Sequence, residues 1–372
     1  MKRLVLLGGG HSHVEVLRRF GAAPLPGTEL VLASPYPDSP YSGMLPGWIA
    51  GHYTRDDCHI DLLSLTRFAR CRFVPSACHR LDADARAVVC ADGTILPYDV
   101  VSVDTGAASA AQEIPGATEH ALPVKPVEDF IPRWVEMREQ VAHGHAPRCI
   151  AMVGGGAAGV EVLLAMQHRL RQLAPASGIR FELACDTDMI LPGHNSSVRR
   201  IFTRVLERRG VRVHPGRAVE RVETGAVLLS GGGRIEADAI VWATGASAPS
   251  WPKAAGLATD GRGFIRVDAR LQSVSHPHVF ASGDIAGIDG HPRPKSGVYA
   301  VRAGPPLSVN LRRALAGERL VAWNPQKDAL ALITTGDRNA VASRGRLALE
   351  GKWVWRWKDW IDRKFVERYR IP

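Results

Sequence analysis

The chain has no uninterrupted apolar run approaching the roughly 18 residues that a membrane-crossing helix needs, so no segment is expected to span a bilayer. It has no C-x-x-C pair either. Its six cysteines, Cys58, Cys71, Cys78, Cys90, Cys149 and Cys185, are scattered. That spacing argues against a disulfide scaffold, a zinc ribbon or a thioredoxin-like dithiol, and the expected compartment is reducing cytoplasm with free thiols. A metal site also lacks support. His11/His13 and His276/His278 form H-x-H pairs, but neither has the carboxylate or thiol cluster that would complete a coordination shell. The opening Met1-Lys2-Arg3-Leu4-Val5-Leu6-Leu7 begins like a signal peptide, then meets Gly8-Gly9-Gly10 before an h-region can form. A short buried strand is the expectation there.

The 372 residues suggest about two domains at ~150 residues each. An apolar fraction of 45% with 23% charged residues is that of a soluble globular protein. The net charge of +10 raises the question of a nucleic-acid partner. Its arginines are spread along the whole chain, so no specific nucleic-acid binding is expected.

The most informative feature is an internal echo. The apolar run Leu4-Val5-Leu6-Leu7 leads into Gly8-Gly9-Gly10-His11-Ser12-His13-Val14-Glu15 and then a helical pattern. Far downstream, Cys149-Ile150-Ala151-Met152-Val153 leads into Gly154-Gly155-Gly156-Ala157-Ala158-Gly159-Val160-Glu161, again followed by a helical pattern. Gly8, Gly10, Val14 and Glu15 match Gly154, Gly156, Val160 and Glu161. In a strand–turn–helix unit the first glycine permits the tight turn and the second lets backbone amides approach a diphosphate. The third lets helix and strand pack closely, with the positive end of the helix facing the phosphates. The second copy is complete. In the first, His13 takes the third glycine position.

Such units place an acidic residue about 20 positions on, at the end of the next strand, to hold a ribose hydroxyl. The first unit ends its strand Glu29–Ala33 at Ser34, which would bind a ribose more weakly than a carboxylate. The second ends Phe181–Cys185 beside Asp186, whose charge would favour NADH over the phosphorylated NADPH.

Three further segments complete the pattern: Val103-Asp104-Thr105-Gly106, its counterpart Val241-Trp242-Ala243-Thr244-Gly245, and Val279-Phe280-Ala281-Ser282-Gly283-Asp284. Together with the two turns they resemble the pyridine nucleotide-disulfide oxidoreductase superfamily over nearly the whole chain. No redox cysteine pair is present, and the spaced cysteines of sulfide:quinone reductases find no match. Cys149 and Cys185, at the ends of neighbouring strands, read as core residues. The chain is therefore more similar to the type II NADH dehydrogenase-like branch. Gly9–Val14, Tyr41-Ser42-Gly43-Met44-Leu45-Pro46-Gly47, Lys295–Arg302 and the Trp-rich tail look most like the flavoproteins found fused to selenophosphate synthetases.

The resemblance implies an α/β fold with two Rossmann-like dinucleotide-binding domains and a small α+β C-terminal domain. FAD would lie on residues 1 to about 110 and about 250 to 310, NADH or NADPH on 111–249, and residues 311–372 would form a cap over the flavin's far face. It also implies roles. Gly8, Gly10, His11, Ser12, His13, Ser34, Gly43, Thr105, Gly106, Gly283, Asp284, Gly297 and Val298 would contact FAD, with Asp284 on its ribityl and diphosphate portion. Gly154, Gly156, Gly159, Asp186 and Gly245 would contact the nicotinamide nucleotide. Lys125 would lie near flavin N5, and Lys295 at the helix start facing the pyrimidine edge. Glu161 would orient the carboxamide or relay a proton, or else act as a first-turn acid on the helix dipole.

The implied reaction passes hydride from NAD(P)H to FAD and electrons on to a small acceptor, with a quinone favoured. A sulfur- or selenium-linked reductase and a non-catalytic flavin redox sensor are the competing readings. In the tail, Trp353, Trp357, Ile361 and Phe365 fall on one helical stripe with Trp360 beside it, while Lys358, Asp362, Arg363 and Arg370 face elsewhere. That is the composition of an interfacial helix, which would put the chain peripherally on the cytoplasmic membrane face. The alternative is a stripe packed on the protein itself or on a second copy in a homodimer.

Overall fold

The computed structural model describes residues 1–371 and is an α/β structure with two five-stranded parallel sheets. From edge to edge the first runs Val279–Ala281, Val100–Val103, Lys2–Leu7, Thr28–Ala33 and Arg72–Val74. The second runs Leu122–Pro123, Ala239–Trp242, Cys149–Val153, Arg180–Ala184 and Val211–His214. Strands covered on both faces must be apolar along their whole length. Accordingly Leu4, Val5, Leu6 and Leu7 are fully buried, as are Ile150, Ala151 and Met152. Cys149 and Cys185 are buried with free thiols.

Each central strand delivers a glycine turn to a helix, His11–Ala22 in the first half and Ala157–Leu173 in the second. Both helices start at a glycine with no side-chain cap, Gly10 and Gly156. Gly8 and Gly154 take φ of +88° and +122°, where other residues are strained. A Cβ on either would lie 2.6 Å from a strand-end carbonyl oxygen, that of Asp104 or of Ala243. The two turns are therefore the same local structure built twice.

They differ at the third glycine position. A Cβ on Gly159 would lie 2.0 Å from the Gly154 carbonyl oxygen, so helix and turn touch there. In the first half the fully buried His13 ring spans the corresponding space. Its Nδ1 lies 2.7 Å from the Gly8 carbonyl and its Nε2 lies 2.8 Å from Ser102 Oγ. The carbonyl can only accept, so Nδ1 carries the proton and Nε2 accepts from the serine. Burial lowers the imidazole to a pKa of about 4, which keeps it in that neutral form.

The helix Gly297–Ala316 packs against His11–Ala22 and runs through Leu311 without a break. Beyond it lie an antiparallel sheet, Ala331–Thr334, Ala340–Arg344 and Leu347–Gly351, and the tail helix Lys352–Glu367. These three strands and the tail helix lie within the segment expected to form the cap. Among the described residues no helix is long and apolar enough to cross a membrane.

Replacing His13 by alanine removes the partners of the half-buried Gly8 carbonyl and the buried Ser102 hydroxyl and should cost about 2 kcal/mol. The check is thermal unfolding of His13→Ala beside the unmodified protein. An unchanged melting temperature would show that the imidazole bridge contributes nothing.

Candidate functional site

The first turn, the Gly-Asp loop and a segment of the second half meet at one ion pair. Asp284 receives the Lys125 ammonium at 2.6 Å, although 159 residues separate them. Lys125 follows the edge strand Leu122–Pro123 of the second sheet, so the pair ties the two sheets' loops together. Gly283 approaches the Asp104 carboxylate: a Cβ there would lie 2.3 Å from Oδ1. Gly297 faces Ser42 Oγ and the His11 ring, at 2.9 and 3.9 Å from its Cβ direction. Ser12 Oγ donates to Ala300 O at 2.8 Å, fixing the helix Gly297–Ala316 against the first turn. Val298 is half-buried in the first turn of that helix. Thr105 and Gly106 follow the strand Val100–Val103 beside Gly8, with Gly106 at φ +74°.

His11 stacks near Tyr41 and Phe365, with ring centres 5.4 and 6.1 Å away. Burial lowers its pKa to about 4, against the pull of Asp284, and its Nε2 is buried without a protein partner. Ser282 Oγ is a second such atom. It lines a cavity of about 330 Å³ shared with Gly283, Asp284, Phe264, Lys295 and Tyr299. Lys295 does not point freely into this space. Its ammonium donates to Ala286 O at 2.5 Å and lies 3.8 Å from the Phe264 ring centre. Burial lowers it to a pKa of about 8, with Asp284 opposing the shift. Ser34 is buried and its hydroxyl donates to Tyr36 O at 3.2 Å, beside Gly9.

In the second half, Gly154, Asp186, Arg217, Trp242, Thr244 and Gly245 line a cavity of about 250 Å³. Thr244 Oγ1 is buried there with no partner, and the Cβ direction of Gly156 meets nothing within 4 Å. Asp186 is exposed at the rim. Arg217, which the strand pattern did not single out, stands beside it because its amide donates to Cys185 O at 2.9 Å.

Glu161 corrects one alternative. The helix begins at Ala157, so Glu161 lies beyond the first turn, where a carboxylate gains little from the helix dipole. Its Oε1 instead accepts from the amide and hydroxyl of Thr334, at 2.6 and 3.0 Å. Burial raises its pKa, with Lys358 pulling it back.

The tail helix corrects a second expectation. Lys358 and Asp362 face inward, while Trp353 and Trp360 are 53% and 58% exposed and Trp357 lies beside them. The charges are tolerated inside because they are mutually satisfied. Lys358 Nζ donates to Asp362 at 2.5 Å and to Gly43 O at 2.6 Å. Burial works against its charge, but Asp362 and Glu161 more than compensate and raise its pKa. Of the expected stripe, Phe365 is buried against Tyr41, and the three tryptophans stand partly exposed at the surface.

The orphaned atoms of His11, Ser282 and Thr244, and the open approach at Gly156, fit polar dinucleotides as the missing partners. Residues 2–304 match the family model described as pyridine nucleotide-disulphide oxidoreductase. The chain belongs to that family. It is an oxidoreductase family whose members use FAD and NAD(P)H.

An NADH dehydrogenase-like protein of Mycobacterium tuberculosis is 28% identical over 235 residues, 62% of this chain and 58% of that relative. The match thus spans less than two thirds of the relative's length. Two solved structures share the fold along the whole chain. The sulfide:quinone oxidoreductase of Aquifex aeolicus superposes with a TM-score of 0.82 at 17% identity, covering 100% of this chain and 92% of that one. NDH2 of Plasmodium falciparum, solved with NADH, gives 0.82 at 14%, covering 100% and 99%.

Removing one member of a buried charge pair strands the other at a cost of about 3–5 kcal/mol, whereas replacing both with apolar groups costs far less. Lys358→Met should therefore be strongly destabilised, and Lys358→Met with Asp362→Leu should regain most of the loss in denaturant titrations. Additive losses would mean that the two charges are not coupled.

Proposed function

We propose that the chain oxidises NADH or NADPH through bound FAD and delivers the electrons to a small acceptor, a quinone. The flavin unit is residues 1–110 with 250–310, the nicotinamide unit is 111–249, and residues 311–372 form the cap. The observation that carries this reading is that the loops of the two sheets are tied by Lys125–Asp284, while Lys358 donates to Gly43 O and is influenced by Glu161, on the helix after the second turn. FAD, when bound, supplies the two-electron chemistry that joins donor to acceptor.

The protein's part is binding and alignment. Gly8, Gly10, His11, Ser12, His13, Thr105, Gly106, Gly283, Asp284, Gly297 and Val298 hold the flavin nucleotide, with Ser34 at its ribose end and Gly43 beside the tail helix. Gly154, Gly156, Gly159, Asp186 and Gly245 hold the donor. Asp284 fixes the Lys125 ammonium in place, and Lys295 places positive charge beside the Gly-Asp loop. Glu161, anchored by Thr334 and facing Lys358, is placed to hold or pass a proton at its carboxylate. The absence of a redox cysteine pair and the quinone reductase among the structures sharing this fold favour quinone over a disulfide.

An anaerobic visible spectrum tests this directly. The flavin band should bleach with NADH, more slowly with NADPH, and return on adding a short-chain quinone. Bleaching without recovery would direct the search to sulfur or selenium acceptors, and a band that neither nucleotide touches would favour a sensor. Failure to hold flavin even after reconstitution with FAD would overturn the reading.

The outward tryptophans extend it to a membrane surface. Trp353 and Trp357 stack 6.5 Å apart, and Lys364 lies 4.9 Å from the Trp360 ring, so aromatic and basic groups share one exposed face. Changing Trp353, Trp357 and Trp360 together to serine should weaken sedimentation with anionic phospholipid vesicles at least about tenfold while leaving flavin content unchanged. Equal sedimentation of both proteins would remove the membrane from the proposal.

A further inference from the structure

One residue of the first half has no chemical counterpart in the second. Gly8 packs on the carbonyl of Asp104 as Gly154 packs on that of Ala243, so Asp104 and Ala243 occupy the same place. Ala243 offers a methyl group. Asp104 offers a carboxylate, 3% exposed, whose Oδ2 accepts from the amides of Ser12 at 2.8 Å and His13 at 3.2 Å. Those amides belong to the start of the first helix, where a dinucleotide diphosphate is met.

Two glycines make room for this acid. A Cβ on Gly10 would lie 2.3 Å from Asp104 Cγ, and one on Gly283 the same distance from Oδ1. At the equivalent point of the second turn, Gly156 faces open space. The first helix start thus carries a resident anion and the second does not.

No cation answers it. Lys125 is paired with Asp284, and Lys295 is turned to Ala286 O and Phe264. On the first helix, the His11 and His13 imidazoles are held neutral by burial and offer no cation. From the Gly-Asp loop, Asp284 adds like charge. The helix Gly297–Ala316 brings Ala300 against Gly283 and Ser12, and no charge.

We propose that Asp104 competes with the FAD diphosphate for the first helix start, so that FAD binding takes up one proton on Asp104. The inference rests on the flavin reading above and concerns how that site binds. A second anion brought to amides already shared with a buried carboxylate favours the carboxylic acid, and binding and protonation become linked. Burial has already raised the Asp104 carboxyl to a pKa of about 7, with Asp284 adding to the shift and the two amides opposing it. The effect therefore falls in the neutral range. Below about pH 7 the acid form is present before FAD arrives, and above it each binding event must recruit a proton.

The experiment is a titration of flavin-free protein with FAD from pH 6 to 8.5, followed by flavin fluorescence, on the unmodified chain and on Asp104→Asn. The dissociation constant of the unmodified protein should rise towards about tenfold per pH unit above neutrality, the slope of one linked proton. Asp104→Asn should bind with little pH dependence, and more tightly at pH 8. Calorimetry of the unmodified protein at pH 8 in buffers of different ionisation enthalpy should count about one proton taken up, and a count of zero overturns the inference even if the variant does not fold. FAD binding that is flat with pH and releases or takes up no protons would overturn this inference and leave the flavin reading standing. A pH slope retained in Asp104→Asn would overturn it too. No FAD binding at any pH would overturn the flavin reading, and this inference with it.

Discussion

Everything at this site depends on how closely a helix start approaches the carbonyl at the end of a neighbouring strand. At Gly8 and at Gly154 there is no room for a side chain between turn and carbonyl. That approach fixes where the first-turn amides point and brings Asp104 or Ala243 under the helix. It also sets where the following Thr-Gly pair, Thr105-Gly106 or Thr244-Gly245, leaves the sheet. A bulkier turn would move the helix start away from the strand ends, and the site loops would lose their common origin.

Given that scaffold, the two halves solve the same packing problem by different chemistry. The second uses a glycine and an alanine, and leaves an open, uncharged approach. The first uses a histidine and an aspartate, closing the gap with hydrogen bonds rather than by contact. Its helix start is better satisfied in isolation and more constrained electrostatically. The tail helix follows the same logic: Lys358 and Asp362 are inside because each meets the other's requirement, and the tryptophans are outside because nothing in the described chain meets theirs.

The sequence made legible what repeats locally. The two strand–turn–helix units, the paired Asp-Thr-Gly and Ala-Thr-Gly segments and the Gly-Asp loop are short patterns whose physics is confined to a few residues. The inward charges of the tail were not legible, because helical periodicity sorts residues by polarity and assigns Lys358 and Asp362 to solvent. The Gly43 carbonyl, 315 residues away, and the Glu161 carboxylate on another helix help to reverse that assignment. Asp104 was visible as a letter, an acid where the second half has alanine. Its meaning needed the distance to Ser12, 92 residues earlier. Arg217 had no local signal, since it comes to line the same cavity as Asp186 through a hydrogen bond to Cys185 O, between the segments that follow neighbouring strands.

The first sheet is closed by Val279–Ala281, and the first helix is tied to the last by the Tyr369 hydroxyl, which donates to Glu15 at 3.1 Å. The second sheet lies entirely within residues 122–242. During synthesis all strands of the second sheet are therefore made before the edge strand Val279–Ala281 of the first. Parallel pairings of such long sequence separation are slow to form and expose apolar strands meanwhile. The second sheet is therefore the more local of the two in the sequence, and the first depends on contacts that cross it.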